Sequence, residues 1–492
     1  MKPPNKINKT STAIGKCFFT FLFITTAFST FTQTPVYVGP RGSIHDDPAN
    51  GIYVSPNGDD QTADGSISKP YKSINTALGR ATSGSTIILR GGTYREGTNI
   101  EVRVSKPNIT IKSRKGEWAH IDLPFPANPA DRNRGECAIR FDPAASGCKL
   151  QSIEVTGGFY AVVFNTRWDD GKPDRSGVSN IIIEDCKLHD SRYDVIKIKP
   201  QCDNNTVRYN EIYNSGKAFA VPGHVFRGED NAEGIDNVNG DNMHVHHNYI
   251  HDICSNGVYA KGGATDVTIE NNRVERTYGA GIALGFDCSP EFFDTAVNPQ
   301  YYENIRGIAR NNLIIDTGWE GIGLYASKDA QVYNNTLVNV AKWGRAIARG
   351  AIYFGIVTQD YKTHPGRPAN VNPNIHHNMV RQPANPGQPM VEIRYTSDLG
   401  GLPGLTGNAT MNNNCYYIVG KSAIFKDNRP NSKFETGLAA WQLYINGDNG
   451  SIEVDPALND DYMPTNAQCA GMGIELPLVI NDLTGAGKGT PE

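Results

Sequence analysis

A short pattern recurs through the middle of this chain and restricts its fold more than any other feature. The segments VRYNEIYNSG, VHHNYIHDIC, IENNRVERTY, ARNNLIIDTG, VYNNTLVNVA and IHHNMVRQPA each place an Asn two residues before an aliphatic side chain. Those residues are Asn210, Asn248, Asn272, Asn312, Asn335 and Asn378, and Cys186 in IEDCKLHDS holds the equivalent place. The tight spacings are 24 residues (Cys186 to Asn210), 24 (Asn248 to Asn272) and 23 (Asn312 to Asn335); the wider ones, 38 to 43, are one period plus an insertion. Nine residues after the landmark come Val195, Gly257, Gly281 and Gly321, opening the short segments VIKIK, GVYAK, GIALG and GIGLY, with GIDNV at 234–238 in the same column. Strand alternation sets Ile196, Ile235, Val258, Ile282 and Ile322 on one face. Such strands cannot bury a face alone, but stacked as coils they can, with Asn side chains hydrogen-bonding along the stack at the turns.

Leucine-rich repeats lack a match here, because their leucine spacing is absent. A propeller needs antiparallel blades of ~40 residues. The pattern resembles the right-handed parallel β-helix of pectate-lyase-like proteins, which implies an all-β solenoid. The segment YVSPNGDDQTADGSISKPYKSINTAL resembles the entry of many secreted β-helix proteins. Lys72–Leu78 is expected as a short amphipathic helix capping the open end, and TIILRGGTYRE as the first strand and turn. The period fades after about residue 400. One β-helix domain is expected over 50–430, with 431–492 as a C-terminal turn and cap.

The chain has 492 residues and a formal charge of -4, with 38% hydrophobic and 20% charged side chains. This balance supports a folded core and excludes the basic stripe of a general nucleic-acid binder. Residues 1–16 carry four lysines and no acid, and 17–31, CFFTFLFITTAFSTF, are apolar or hydroxylic. That is a secretory signal pattern, assigned to 1–29 with cleavage near Ala27-Phe28-Ser29. The run is shorter than the ~20 residues of a membrane span. A secreted or periplasmic protein, monomeric and free of the membrane after cleavage, is expected. Eight cysteines remain beyond Cys17; Cys137 and Cys148 are the most local pair, and single buried thiols account equally well for the others.

The strand alignment also yields outward columns. One runs Lys197, Asp236, Tyr259, Ala283, Gly323, and the next runs Lys199, Val238, Lys261, Gly285, Tyr325. Asp194, Glu233, Asn256, Ala280 and Glu320 precede the strands. With coils ~4.8 Å apart, Asp194, Glu233 and Asp236 converge, and Lys197, Lys199 and Lys261 stand beside them. Carboxylates so placed repel unless a cation lies between them, and hard oxygen ligands suit Ca²⁺. The plain alternative is a solvated face of Lys–Asp pairs. His244, His246 and His247 lack the HExxH zinc arrangement.

YDVIKIK followed one coil later by AEGIDNV resembles polysaccharide lyase family 9, which implies one Ca²⁺ on Asp194, Glu233 and Asp236. Glu233 stands where that family has Asp, and Ala232 where it often has a further acid. The family's catalytic Lys, in a strand of the form NGFKLGG, corresponds to the place of Tyr259; Lys261 lies two residues later in NGVYAKGG. IKIKPQCDNNTVRYN around Lys199 is more weakly similar to polysaccharide lyase family 6, whose Arg one coil on is replaced by Asp236 and Val238.

The resemblance implies β-elimination on a uronate polysaccharide. Lys261 is the first choice of base, with Lys199 and Lys197 as competitors or carboxylate binders, and Tyr259 as a positioning group or acid. Insertions at 216–232 and 288–303 are expected to wall the groove. They bring His224 and Arg227 to the substrate carboxylate and offer Phe292, Phe293, Tyr301 and Tyr302 for sugar stacking. Tyr325 is expected against substrate, and Arg345 and Arg349 extend the cationic wall. A glycoside hydrolase pair drawn from Asp194, Glu233, Asp236, Asp287 and Glu320, a C5-epimerase and a non-catalytic glycan-binding protein are the alternatives.

Overall fold

The computed structural model describes residues 36–97, 100–124, 135–167, 176–216, 231–342, 349–357, 366–396, 401–430 and 434–473. Among them the strands form three twelve-stranded sheets, each visited once per coil. Within these three sheets pairing is parallel, except where Phe434–Thr436 closes one sheet antiparallel to Phe425–Asp427. The fold is the expected right-handed parallel β-helix.

Its core is a set of side-chain stacks. In one sheet Ile87, Ile111, Leu150, Ile183, Val207, Val245 and Ile269 sit in register on successive rungs, all fully buried. Ile196, Ile235, Val258, Ile282 and Ile322 do the same in the sheet that carries the charged columns. Each aliphatic side chain contacts its own kind above and below, so a coil buries a face that it cannot bury alone.

The Asn ladder lies at the bend between two sheets. The Nδ2 of Asn210 donates to Asn248 Oδ1 (2.9 Å), Asn248 to Asn272 (2.9 Å), Asn272 to Asn312 (3.1 Å), Asn312 to Asn335 (3.0 Å) and Asn335 to Asn378 (3.0 Å). Each Oδ1 also accepts the backbone N–H of the preceding rung's Asn, and Asn210 accepts that of Cys186. Only a carboxamide donates and accepts along one axis in this way. The preceding residue turns the chain in the left-handed region, as at Tyr209 (φ 55°), His247 (φ 58°) and Asn311 (φ 54°). The ladder runs two links further than the sequence pattern indicates, from Asn378 to Asn414 and from Asn414 to Asp448.

The cap differs in detail from expectation. The helix is Ile74–Arg80, two residues later than Lys72–Leu78, because the Ser73 hydroxyl caps the Thr76 N–H. The first strand is Ile52–Val54, which pairs with Thr86–Leu89, so TIIL is the second rung. Trp441, on the helix Leu438–Ile445, stacks on Phe425 and closes the other end. Cys137 and Cys148 are not bonded; all eight cysteines of the described residues are buried free thiols. The expected signal at 1–29 lies outside the described residues, and no described helix is long and apolar enough to cross a membrane.

Replacing Asn312 removes donors and acceptors from two neighbouring rungs at once. Asn312→Ala is expected to lower unfolding stability by about 2–4 kcal/mol, while Gln331→Ala, exposed on the adjacent strand, changes it by less than ~0.5 kcal/mol. Equal effects in urea unfolding would contradict the structural role of the ladder.

Candidate active site

The outward columns stand as the sequence places them. Lys197 pairs with Asp236, Asp236 with Tyr259, Tyr259 with Ala283 and Ala283 with Gly323. Val238 pairs with Lys261 in the neighbouring column. Asp194, Glu233 and Asp236 converge, each bringing a carboxylate oxygen within 4.8 Å of the others. Asp194 and Asp236 are 0% exposed and Glu233 is 2% exposed.

Part of each carboxylate is satisfied. Asp194 Oδ1 accepts the Glu233 N–H (2.9 Å), and Glu233 Oε1 accepts from the Ser255 hydroxyl (2.8 Å) and from Asn256 Nδ2 (3.2 Å). Lys197 Nζ forms an ion pair with Asp236 and lies 3.4 Å from Asp194 Oδ2. Yet Glu233 Oε2, Asp236 Oδ1 and the Tyr259 hydroxyl are buried without a hydrogen bond, and Asp194 Oδ2 has only the Lys197 ammonium beside it. Buried oxygens are ordinarily partnered, so under-satisfied carboxylate oxygens gathered in one place suit a cation. The residues therefore fit a Ca²⁺-type ion, which the three carboxylates would hold.

Burial and mutual repulsion push the Asp194 and Glu233 carboxyls upward. Burial acts the same way on Asp236, but Lys197 and Lys261 outweigh it and hold that group low. Burial disfavours charge on Lys197 and Lys261, yet Asp236 reverses the balance in both. Lys199 is the exception. It is hydrogen-bonded to Asn165 Oδ1 (3.0 Å), and burial, reinforced by Arg140, lowers it.

Lys261 Nζ donates to the Asp287 carbonyl (2.8 Å) and lies 4.3 Å from the centre of the Tyr259 ring. Tyr259 itself is 0% exposed and stacks on Phe286 at 5.7 Å, so it underlies the site. Tyr325, expected against substrate, is 3% exposed; its hydroxyl bonds Glu320 (2.5 Å) and Arg349 (2.6 Å). Its ring folds back over Gly323 because no side chain fills that place. Arg349 in turn lies 4.1 Å over Trp319. Phe293, expected to stack on sugar, is buried and packs against Tyr301 and Arg367. His224, Arg227 and Arg345 fall outside the described residues.

The sequence pattern does not show the buried pair that anchors the 288–303 insertion. Glu303 bonds Arg367 (2.8 Å), the Gly262 N–H (2.8 Å) and the Cys288 N–H (3.2 Å). Burial pushes Glu303 up to about 7 against the pull of Arg367. Gly262 follows Lys261 directly, so this pair fixes the backbone beside the amine. Both members lie in insertions without the period, where column alignment has nothing to register.

Two predictions follow from these charges. Folding tightens the hold of Glu233 on its proton, so its ionisation costs stability as pH rises above its ordinary value near ~4.3. Glu233→Gln should then stabilise protein kept in EDTA at neutral pH, with the gain vanishing near pH ~4. A neutral-pH loss in urea unfolding would contradict this. Arg367→Met leaves Glu303 unpaired and should cost about 3–5 kcal/mol. A loss under ~1 kcal/mol would show that the pair does not anchor the loop.

Comparison with known proteins adds family information. A family model described as right handed beta helix region matches residues 134–298 and 230–357. A stretch of 120 residues is 44% identical to pectate lyase PEL9 of Emericella nidulans, covering 23% of this chain and 29% of that protein. A stretch of 111 residues is 34% identical to the uncharacterized protein YwoF of Bacillus subtilis, covering 21% of this chain and 23% of that one. The chain thus spans less than a third of the length of these curated relatives. Among solved structures, pectate lyase Pel9A aligns at 17% identity with a TM-score of 0.43, over 68% of this chain and 76% of that one.

Proposed function

We propose that this protein is a polysaccharide lyase that cleaves a uronate-containing acidic polysaccharide, pectate-like in character, by β-elimination. The observation that carries this reading is the buried cluster of Asp194, Glu233 and Asp236, with unpartnered oxygens and lysines at its edge. The partial identity to a pectate lyase supports it. Three buried carboxylates with oxygens within 4.8 Å of one another suit a shared cation, which the two-carboxylate chemistry of a glycoside hydrolase does not call for.

Elimination removes the C5 proton of a uronate, forms the C4=C5 double bond and breaks the bond from C4 to the glycosidic oxygen, which leaves with a proton taken from solvent. Bound Ca²⁺ would neutralise the three acids and stabilise negative charge developing on the substrate carboxylate. Lys261 is assigned as the base that takes the C5 proton at Nζ. Its amine is held in place by the Asp287 carbonyl and by the face of Tyr259. Tyr259 acts as a positioning residue under that amine, since its burial keeps it from the sugar. Glu303 and Arg367 fix the segment that follows Lys261. Lys197, Lys199, His224 and Arg227 are assigned to substrate carboxylates in this reading, with Lys197 ion-paired to Asp236 before substrate arrives.

Lys199 is the second candidate for base, favoured by one observation: burial already disfavours its charged form. The lysine-flanked apolar run of the first 31 residues supports export. We extend the proposal to a secreted or periplasmic location and a monomeric state.

The test is ultraviolet detection of unsaturated uronate ends on a panel of uronate polysaccharides. Release is expected with Ca²⁺ and not with EDTA. Lys261→Ala should lower it about 10²–10⁴-fold, and Lys199→Ala less than ~10-fold. The reverse ranking moves the base to Lys199. New reducing ends without unsaturation would establish a hydrolase instead.

A further inference from the structure

Lys197 does not point freely into solvent. Its ammonium is ion-paired to Asp236 and stands 3.4 Å from Asp194 Oδ2, while only 14% of its side chain is exposed. Both acids are fully buried. The Tyr160 ring lies beneath at 5.8 Å from the amine. The ammonium thus occupies the ground that a divalent ion on Asp194 and Asp236 requires. A divalent ion held by Asp236 Oδ1 and Glu233 Oε2 would stand close to this ammonium, and the two like charges repel at short range. Lys197 sits on a strand whose backbone is fixed by pairing on both sides. Its four-carbon stem can nevertheless swing the amine outward along the sheet, on the side where Lys199 also stands.

We propose that Lys197 is an exchangeable internal counter-ion: it neutralises the acid cluster in the cation-free protein, and on cation binding it moves outward to pair with a carboxylate of the acidic substrate. This rests on reading the cluster as a calcium site. It assigns Lys197 a role distinct from that of the base. Two consequences follow. Lys197 holds cation affinity down in the absence of substrate. A uronate that captures the displaced ammonium tightens cation binding, and by linkage the cation tightens uronate binding equally.

Calcium titration calorimetry on the full chain tests this. The probes are galacturonate, which carries the carboxylate but has no glycosidic bond to cleave, and galactose as the neutral control. Lys197→Met should bind Ca²⁺ at least ~10-fold more tightly than the native protein without sugar, and galacturonate should tighten Ca²⁺ binding several-fold only in the native protein. Lys197→Arg preserves the charge and guards against a folding defect. Its forked guanidinium should hold both acids and weaken Ca²⁺ binding. Unchanged or weaker Ca²⁺ binding in folded Lys197→Met, or unchanged or tighter binding in Lys197→Arg, overturns the proposal. So does an equal effect of galactose and galacturonate. Asp236→Asn separates the two readings: if it binds Ca²⁺ like the native protein, the cation site itself is misplaced. If no variant binds Ca²⁺, both readings fall.

Discussion

The stacking of coils in strict register is the constraint on which the rest of this molecule depends. Asn210, Asn248, Asn272, Asn312, Asn335 and Asn378 link rung to rung through paired side-chain and backbone hydrogen bonds. The aliphatic stacks inside the coil reward the same alignment. Outside, the register decides which side chains meet. A slip of one residue would send Lys197 and Asp236 into the core and Ile196 and Ile235 to the surface. The acid cluster is therefore a product of the ladder: three carboxylates from two adjacent coils, delivered to one point by rungs ~4.8 Å apart.

That point is electrostatically poor by the standards of the fold around it. Three buried acids face two nearby amines, and several of their oxygens lack partners. A rigid solenoid can hold such a cluster because its stability resides in the stacks and the Asn ladder, not at the site. The ammonium of Lys197, inserted among the acids, is the feature on which the proposed cation exchange rests. The Glu303–Arg367 pair is a different device. It satisfies its charges internally and braces the loop beside Lys261.

Most of the fold was legible because the repeat encodes it directly. A period near 23 residues, an Asn at each bend and alternating aliphatics specify coils, register and columns without reference to distant sequence. The acid cluster was legible for the same reason, since column alignment places Asp194, Glu233 and Asp236 together. What the period does not encode was lost. Asn414 and Asp448 extend the ladder after insertions that hide the spacing. Glu303 and Arg367 meet from irregular loops. Tyr325 occupies the expected outward position, yet its ring turns back to Glu320, because backbone register fixes where a side chain starts and not where it ends. Lys197 was placed beside Asp236 correctly, but the depth of its amine among the acids depends on burial that a column cannot show.

The measurement that bears most directly on this site is anomalous diffraction from crystals of the protein equilibrated with Ca²⁺ and, in parallel, with a lanthanide. A single peak bonded to Asp194, Glu233 and Asp236 at about 2.3–2.6 Å, with the Lys197 amine moved away from Asp236, is the expected result. Absence of a peak, with Lys197 still seated on Asp236 at saturating cation, would show that the cluster is a closed ion-pair network and not a cation site.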